Sequence, residues 1–183
     1  LKGFAFQAEQ KKIDLYLVIE PDVPQVVIGD PLRLGQVLQN LLGNALKFSD
    51  TGWVKLHVKR MTSQDASVSC SFEVIDTGIG IPSEKMHMIF SPFSQADTSI
   101  NRKYGGSGLG LSIAKNLVGL MGGEISVRPR EEGGSIFTFS AEFESAVDSE
   151  NDVSNSVIQM NKVASKRFST MPNSVDVLLV ESN

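Results

Sequence analysis

Three groups of residues in this chain combine types and spacings that suit nucleotide chemistry. In YGGSGLGL, residues 104–111, four glycines are interleaved with Ser107 and Leu109 and run directly into an amphipathic stretch. Glycine lets main-chain N–H groups turn inward with no Cβ in the way, and a helix start adds unpaired donors and a partial positive charge. Such a loop can cradle a phosphate, although a tight turn that needs positive φ would also use glycine. A second group lies in DPLRLGQVLQNLLGNALKFS, residues 30–49. There Leu34, Val37, Leu38, Leu41, Leu42 and Ala45 recur at helical spacing, while Arg33, Gln36, Asn40, Asn44 and Lys47 form a polar stripe. Amide oxygens are hard neutral ligands that suit Mg²⁺, and Lys47, one turn beyond Asn44, could meet a phosphate as a point charge. The same stripe would serve as the solvated side of a surface helix, but asparagine is a mediocre helix former with a weak claim to mid-helix positions.

The third group is EVIDTGIGIP, residues 73–82, reached from an apolar strand. Val68, Cys70, Phe72 and Val74 alternate with polar residues, so the strand has one buried face and delivers Asp76 at its end. Gly78 and Gly80 follow. A carboxylate beside bare backbone can accept from an exocyclic amine while a flat ring lies against the glycines. On spacing alone, Asp-Thr-Gly is equally a hairpin turn.

In combination and in this order, these motifs resemble the ATP-binding catalytic domain of sensor histidine kinases, in the superfamily that also holds gyrase B, Hsp90 and MutL. The resemblance covers residues 14–143. It includes the asparagine box (residues 30–49), a first glycine box (DTGIGIP), a phenylalanine box (IFSPFSQAD, residues 89–97) and a second glycine box (GGSGLGL, residues 105–111). The phenylalanine box is typical of the kinases and not of the gyrase or Hsp90 branches.

The resemblance implies that Asn44 holds Mg²⁺ with Asn40 nearby, that Lys47 reaches the nucleotide phosphates and that Phe48 borders the nucleotide. Asn44 and Lys47 would be the catalytic pair. Asp76 would accept from the adenine amino group, Gly78 and Gly80 would let the ring approach, and Ile81 would wall the pocket. Arg102, Tyr104, Gly105, Gly106, Ser107, Gly108, Leu109 and Gly110 would form a lid and phosphate cradle, with Ser107 where the family more often has threonine. Ser135 would complete the base pocket. The implied ligands are ATP or ADP with Mg²⁺.

In the ATP-hydrolysing branches the position four before the metal asparagine is usually a glutamate that activates water. Asn40 stands there in this chain and cannot act as a base. The implied reaction is therefore phosphoryl donation to a histidine on a separate dimerising hairpin, since such transfer depends on positioning and charge neutralisation. Two other readings stay open, a nucleotide-binding regulatory module without transfer activity and a gyrase- or Hsp90-like ATPase clamp.

The chain has two histidines. Neither His57 nor His87 stands in the His-Glu or His-Asp context of the family's phosphoacceptor. His57 alternates with apolar Val54, Leu56 and Val58 and is expected to face solvent, and His87 lies in a helix-like stretch. The chain is read as a piece of a larger protein, opening in the lead-in to a first strand.

The periodicities predict strands at residues 14–20, 54–60, 68–75, 124–128 and 135–143. Helices are predicted at residues 31–48 and 111–121, the second stopped by Gly122 and Gly123. This makes an α+β, two-layer sandwich of the Bergerat type, a mixed sheet covered on one face by helices. Residues 94–106 are polar and suit a functional loop. The expected organisation is a catalytic domain over residues 1–145, a Ser- and Asn-rich linker over 146–174 and the start of a receiver domain over 175–183. VDVLLVESN ends in Glu181 where a receiver has its acidic pair, but Ser182 replaces the second acid.

At 183 residues with 41% hydrophobic content there is material for one cored domain. A net charge of −4 gives no reason to expect nucleic acid. The single cysteine, Cys70, falls on an apolar strand face and reads as an inert core thiol in a reducing compartment. No apolar run approaches the ~20 residues that span a bilayer. A cytoplasmic location, monomeric behaviour, and partnership with a phosphoacceptor hairpin and a receiver of the same parent protein complete the expectations.

Overall fold

The computed structural model describes residues 2–61, 67–93 and 108–145, together with the backbone of 157–160, 166–167 and 178–179. The elements run α1 (Lys2–Lys11), β1 (Asp14–Ile19), β2 (Val26–Ile28), α2 (Pro31–Phe48), β3 (Trp53–Met61), β4 (Ser67–Asp76), a single 3₁₀ turn (Ser83–Lys85), α3 (Gly110–Leu120), β5 (Ile125–Pro129) and β6 (Ser135–Ser145). Three short strands follow, β7 (Val157–Met160), β8 (Lys166–Arg167) and β9 (Leu178–Leu179). The mixed sheet has the order β8-β1-β3-β4-β6-β2-β7-β9, with β5 also on β6. β1 and β3 are parallel, and the connection between them passes through β2 and α2. The central pairs β3–β4 and β4–β6 are antiparallel.

Helix α2 forms where the apolar stripe predicts it, because Asp30 caps it well. The Asp30 carboxylate accepts from the backbone N–H groups of Leu32 and Arg33 at 3.0 Å each, Pro31 occupies the first turn, and Arg33 pairs with Asp30. Leu34, Val37, Leu38, Leu41, Leu42, Ala45 and Leu46 are buried against the sheet. Ala114 and Val118 of α3 join them. The facing strands contribute Leu15, Leu17, Val54, Leu56, Val58, Cys70, Phe72, Val74, Phe137 and Phe139. The Phe72 and Phe139 rings stack 4.7 Å apart at the centre, and Phe143 meets Phe72 edge-on. Full burial of side chains this size stabilises the fold by about 1.5–3 kcal/mol each. The Cys70 thiol is buried in this layer, and burial pushes its pKa up to about 11, so it is a packing group.

Three features differ from the reading of the sequence. The chain opens with helix α1 and not with the lead-in to a strand. Its apolar positions form no stripe, and only Ala8 is fully buried. Strand β2 exists as well, three residues long, and is held by pairing with the end of β6 and with β7. His57 does not face open solvent. It stands opposite Glu73 in the β3–β4 register, its side chain is only 16% exposed, and Nε2 lies 2.6 Å from Glu20. Lys59 pairs with the same Glu73 at 2.9 Å. Burial alone would raise the Glu73 pKa, but Lys59, His57 and Arg128 together hold it below the usual range. His87 is exposed in a run of turns after the 3₁₀ turn.

Candidate functional site

Three segments meet at the C-terminal end of α2: the helix itself, the loop after β4, and the β5–β6 hairpin. Asp76 ends β4 and is 3% exposed, the only buried charged residue among the described residues. One carboxylate oxygen accepts from the Gly78 backbone N–H at 2.8 Å, and the other accepts from the Ser135 hydroxyl at 2.9 Å. The nearby Ser135 backbone N–H also favours the charged form. Burial raises the Asp76 pKa, and these donors, with Arg130 at longer range, oppose the rise without cancelling it. The result is a fixed, desolvated acceptor at a strand end, suited to an amine-bearing planar ligand.

The glycines around Asp76 are required by close backbone approach. A Cβ on Gly78 would stand 2.4 Å from the Phe48 carbonyl oxygen, so the loop after β4 rests directly on the end of α2. The Ile79 N–H donates to that same carbonyl at 3.2 Å. Gly134, with φ +94°, lies against the Asp76 carbonyl, where a Cβ would be 2.0 Å away. Gly80 has φ +71° and packs beside Gly134. Ile81 is partly buried against the core just beyond.

Two residues that sequence reasoning did not single out hold this arrangement together. The Thr77 hydroxyl accepts from the Trp53 N–H at 2.9 Å and lies within reach of the Trp53 and Thr51 carbonyls, tying the loop to the start of β3. Arg130 lies 5.1 Å over the Trp53 ring, donates to the Gly133 carbonyl at 3.0 Å and pairs with Glu132, fixing the hairpin that brings Ser135 to Asp76. The Asp-Thr-Gly spacing was the available signal for Thr77, whereas nothing local marked Arg130 or Gly134.

Asn40, Asn44, Lys47 and Phe48 are all half-buried on α2. Asn40 and Asn44 are one turn apart and share a face. The Asn40 side-chain oxygen lies against Gly110, where an added Cβ would be 3.0 Å away, so the polar stripe of α2 meets the start of α3. The Lys47 ammonium lies 5.0 Å over the Phe48 ring. At α3, Gly108 has φ +71°, Leu109 is the N-cap residue, and no side chain caps the helix. The N-cap side chain of α3 is thus apolar and caps nothing, and a helix start of this kind favours an anionic group.

Among the described residues, no cluster of three or more His, Cys, Asp or Glu side chains could hold a metal ion. The donors at the α2–α3 junction are neutral amides. They fit an ion such as Mg²⁺ that brings phosphate oxygens and water as its other ligands. Arg102, Tyr104, Gly105, Gly106 and Ser107 lie outside the described residues, as do residues 94–97 of the phenylalanine box. Within that box, Ile89 is buried and the Phe90 ring meets Phe137 edge-on at 6.3 Å.

Comparison with known proteins agrees with this fold. Residues 29–145 match the family described as histidine kinase-, DNA gyrase B-, and HSP90-like ATPase. The hybrid signal transduction protein dokA of Dictyostelium discoideum is 46% identical over 165 residues, which is 88% of this chain and 10% of that protein. The signal transduction histidine-protein kinase BarA of Escherichia coli K12 is 44% identical over 135 residues, 74% of this chain and 15% of BarA. The chain thus spans only about a tenth to a seventh of the length of these relatives. Among solved structures, full-length ShkA in complex with AMPPNP superposes with a TM-score of 0.66 at 32% identity, covering 79% of this chain and 28% of ShkA. The catalytic domain of histidine kinase ThkA gives 0.60 at 30% identity, covering 76% and 85%. With its fold and these matches in agreement, the chain belongs to the histidine kinase-, DNA gyrase B- and HSP90-like ATPase family.

Proposed function

We propose that this chain binds Mg-ATP and donates the γ-phosphoryl group to a histidine on a separate phosphoacceptor hairpin, as the catalytic domain of a hybrid protein-histidine kinase. The observation that carries the reading is the buried Asp76 carboxylate, held by Gly78 and Ser135 at the junction with α2. The adenine amino group would donate to Asp76, with Phe48 and Ile81 bordering the ring. Lys47 would neutralise phosphate charge, and the start of α3 would receive phosphate oxygens on its N–H groups. Arg102, Tyr104, Gly105, Gly106 and Ser107 would complete the cradle with Gly108, Leu109 and Gly110.

Asn44, with Asn40 beside it, would hold Mg²⁺, which supplies charge neutralisation along the triphosphate when bound. In the transfer, the bond between the γ-phosphorus and the bridging oxygen breaks, a phosphorus–nitrogen bond forms to the acceptor imidazole, and ADP leaves. Nothing on α2 at this junction acts as a base for water, since Asn40 and Asn44 are amides. Donation to a nucleophile supplied from elsewhere therefore fits better than hydrolysis.

The kinase names of the relatives support the same reading, as does the AMPPNP in the ShkA complex. Residues 1–145 would be the catalytic unit, residues 146–174 the connection and residues 175–183 the start of a receiver, where the apolar run ending in Glu181 is the support. The test is calorimetric titration with ATP and ADP, with and without Mg²⁺, alongside a phosphate-release assay and a transfer assay to an added phosphoacceptor hairpin. Magnesium-dependent binding, transfer to the hairpin and little free phosphate are expected. Absence of nucleotide binding, or steady hydrolysis without transfer, would overturn the proposal.

A further inference from the structure

The last turn of α2 is gripped from outside the site by a single side chain. Helix α1 ends in a tight capping motif: the Lys12 N–H donates to the Glu9 carbonyl at 3.0 Å and the Ile13 N–H to the Ala8 carbonyl at 2.9 Å. Lys12 takes a left-handed φ of +57° to make the turn, and Ala8 and Ile13 are both buried beneath it. This fixes Lys11 at the helix end. Its ammonium then reaches across to α2 and donates to the carbonyls of Leu46 at 2.7 Å, Lys47 at 3.1 Å and Ser49 at 3.1 Å.

An ammonium has three hydrogens, and three acceptors converge on this one. The acceptors belong to the terminal turn of α2, where carbonyls lack intrahelical partners and the helix dipole favours a cation. The remaining carbonyl of that turn, Phe48, is taken from the opposite side by the Ile79 N–H. The turn that carries the Lys47 and Phe48 side chains is thus held between α1 and the loop after β4.

We infer that Lys11 is a positioning residue for the phosphate half of the nucleotide site, acting through the last turn of α2 on the placement of Lys47. The inference rests on the nucleotide-binding reading above. Asp76 and Ser135 are held by the hairpin and by β4, so recognition of the base depends on Lys11 only through Phe48 and less than recognition of the phosphates does.

The experiment compares the wild-type chain with Lys11→Met, Lys11→Gln and Lys11→Arg by calorimetric titration with ATP and with adenosine, alongside thermal melts without ligand. Loss of one charge-assisted helix-end contact predicts about a fivefold weaker affinity of Lys11→Met for ATP. Adenosine affinity should fall clearly less than ATP affinity, and Lys11→Arg should recover most of the ATP affinity. Should Lys11→Met fail to fold, Lys11→Gln, which keeps a donor without the charge, carries the same comparison. ATP affinity within twofold of wild type overturns the inference, as does an equal loss for adenosine and ATP, because both make Lys11 merely structural. Wild type that binds no ATP would overturn the nucleotide-binding reading and this inference with it, whereas wild-type binding with an indifferent Lys11 removes this inference alone.

Discussion

Replacing Asp76 by asparagine separates base recognition from the rest of the site. A carboxylate offers about four acceptor directions. Gly78 N–H and the Ser135 hydroxyl occupy two of them, which leaves room for an exocyclic amine. In Asp76→Asn the charge is gone, and a –NH₂ group faces donors on at least one side. A hydrogen bond to a charged acceptor is worth about 1.5–3 kcal/mol, so nucleotide affinity should fall roughly 10- to 150-fold. Because the lost bond is to the base, AMP, ADP and ATP should lose the same factor in calorimetric titration. Stability should respond differently. The folded Asp76 pKa lies above its unfolded value, so wild type loses stability as pH rises from the ordinary carboxylate range through that raised value, and the penalty is in place at neutral pH. The asparagine variant lacks that slope, so its melting temperature relative to wild type should be higher at neutral pH than in acid. An affinity loss below about threefold, which is under 1 kcal/mol, or a loss that grows with the number of phosphates, would refute the base-acceptor role.

Glu73→Gln should behave in the opposite sense with pH. Its folded pKa is depressed by Lys59, His57 and Arg128, so wild type should be more stable by about 1 kcal/mol at neutral pH, and thermal melts should converge as pH falls below the carboxylate range. Gly134→Ala should cost about 3 kcal/mol or more in urea denaturation, because its Cβ would strike the Asp76 carbonyl in a positive-φ position. The neighbouring Gly133→Ala, also at positive φ but with open space around it, should cost clearly less. Gly35→Ala, mid-helix in α2 with nothing within 4 Å of the new methyl, should stabilise the domain by about 0.5–1 kcal/mol and leave ATP affinity unchanged in titration.

Where a segment's own periodicity decides its structure, the sequence was sufficient. Helix α2 begins at Pro31 and ends at Phe48 as the stripe and the Asp30 cap require, and β4 delivers Asp76 at its end as the alternation implies. Helix α1 was not legible because KGFAFQAEQK carries no apolar face, and its Phe6 is exposed. His57 was misjudged because alternation assigns a face but not the neighbours on it, and Glu20, just past the end of β1, and Glu73 of β4 arrive from elsewhere in the chain. Gly78 was legible as a glycine but not for its reason, since the neighbour that excludes a Cβ is the Phe48 carbonyl. Lys11, Arg130 and Gly134 act through contacts with residues distant in the chain, and spacing within a motif carries no trace of those.

The parallel pairing of β1 with β3 has a consequence for how the domain is made. A parallel pair cannot close by a tight turn and needs a crossover, and here the crossover is α2 itself. Such long-range pairing is a slow step of folding, because the entropy of closing the loop is lost before the contacts form. The helix bearing Asn40, Asn44 and Lys47 lies on that connection, so its docking and the pairing of β1 with β3 close the same loop. A ligand that grips this helix should act as a brake on unfolding, slowing exchange of the β1 and β3 amide hydrogens although it touches neither strand.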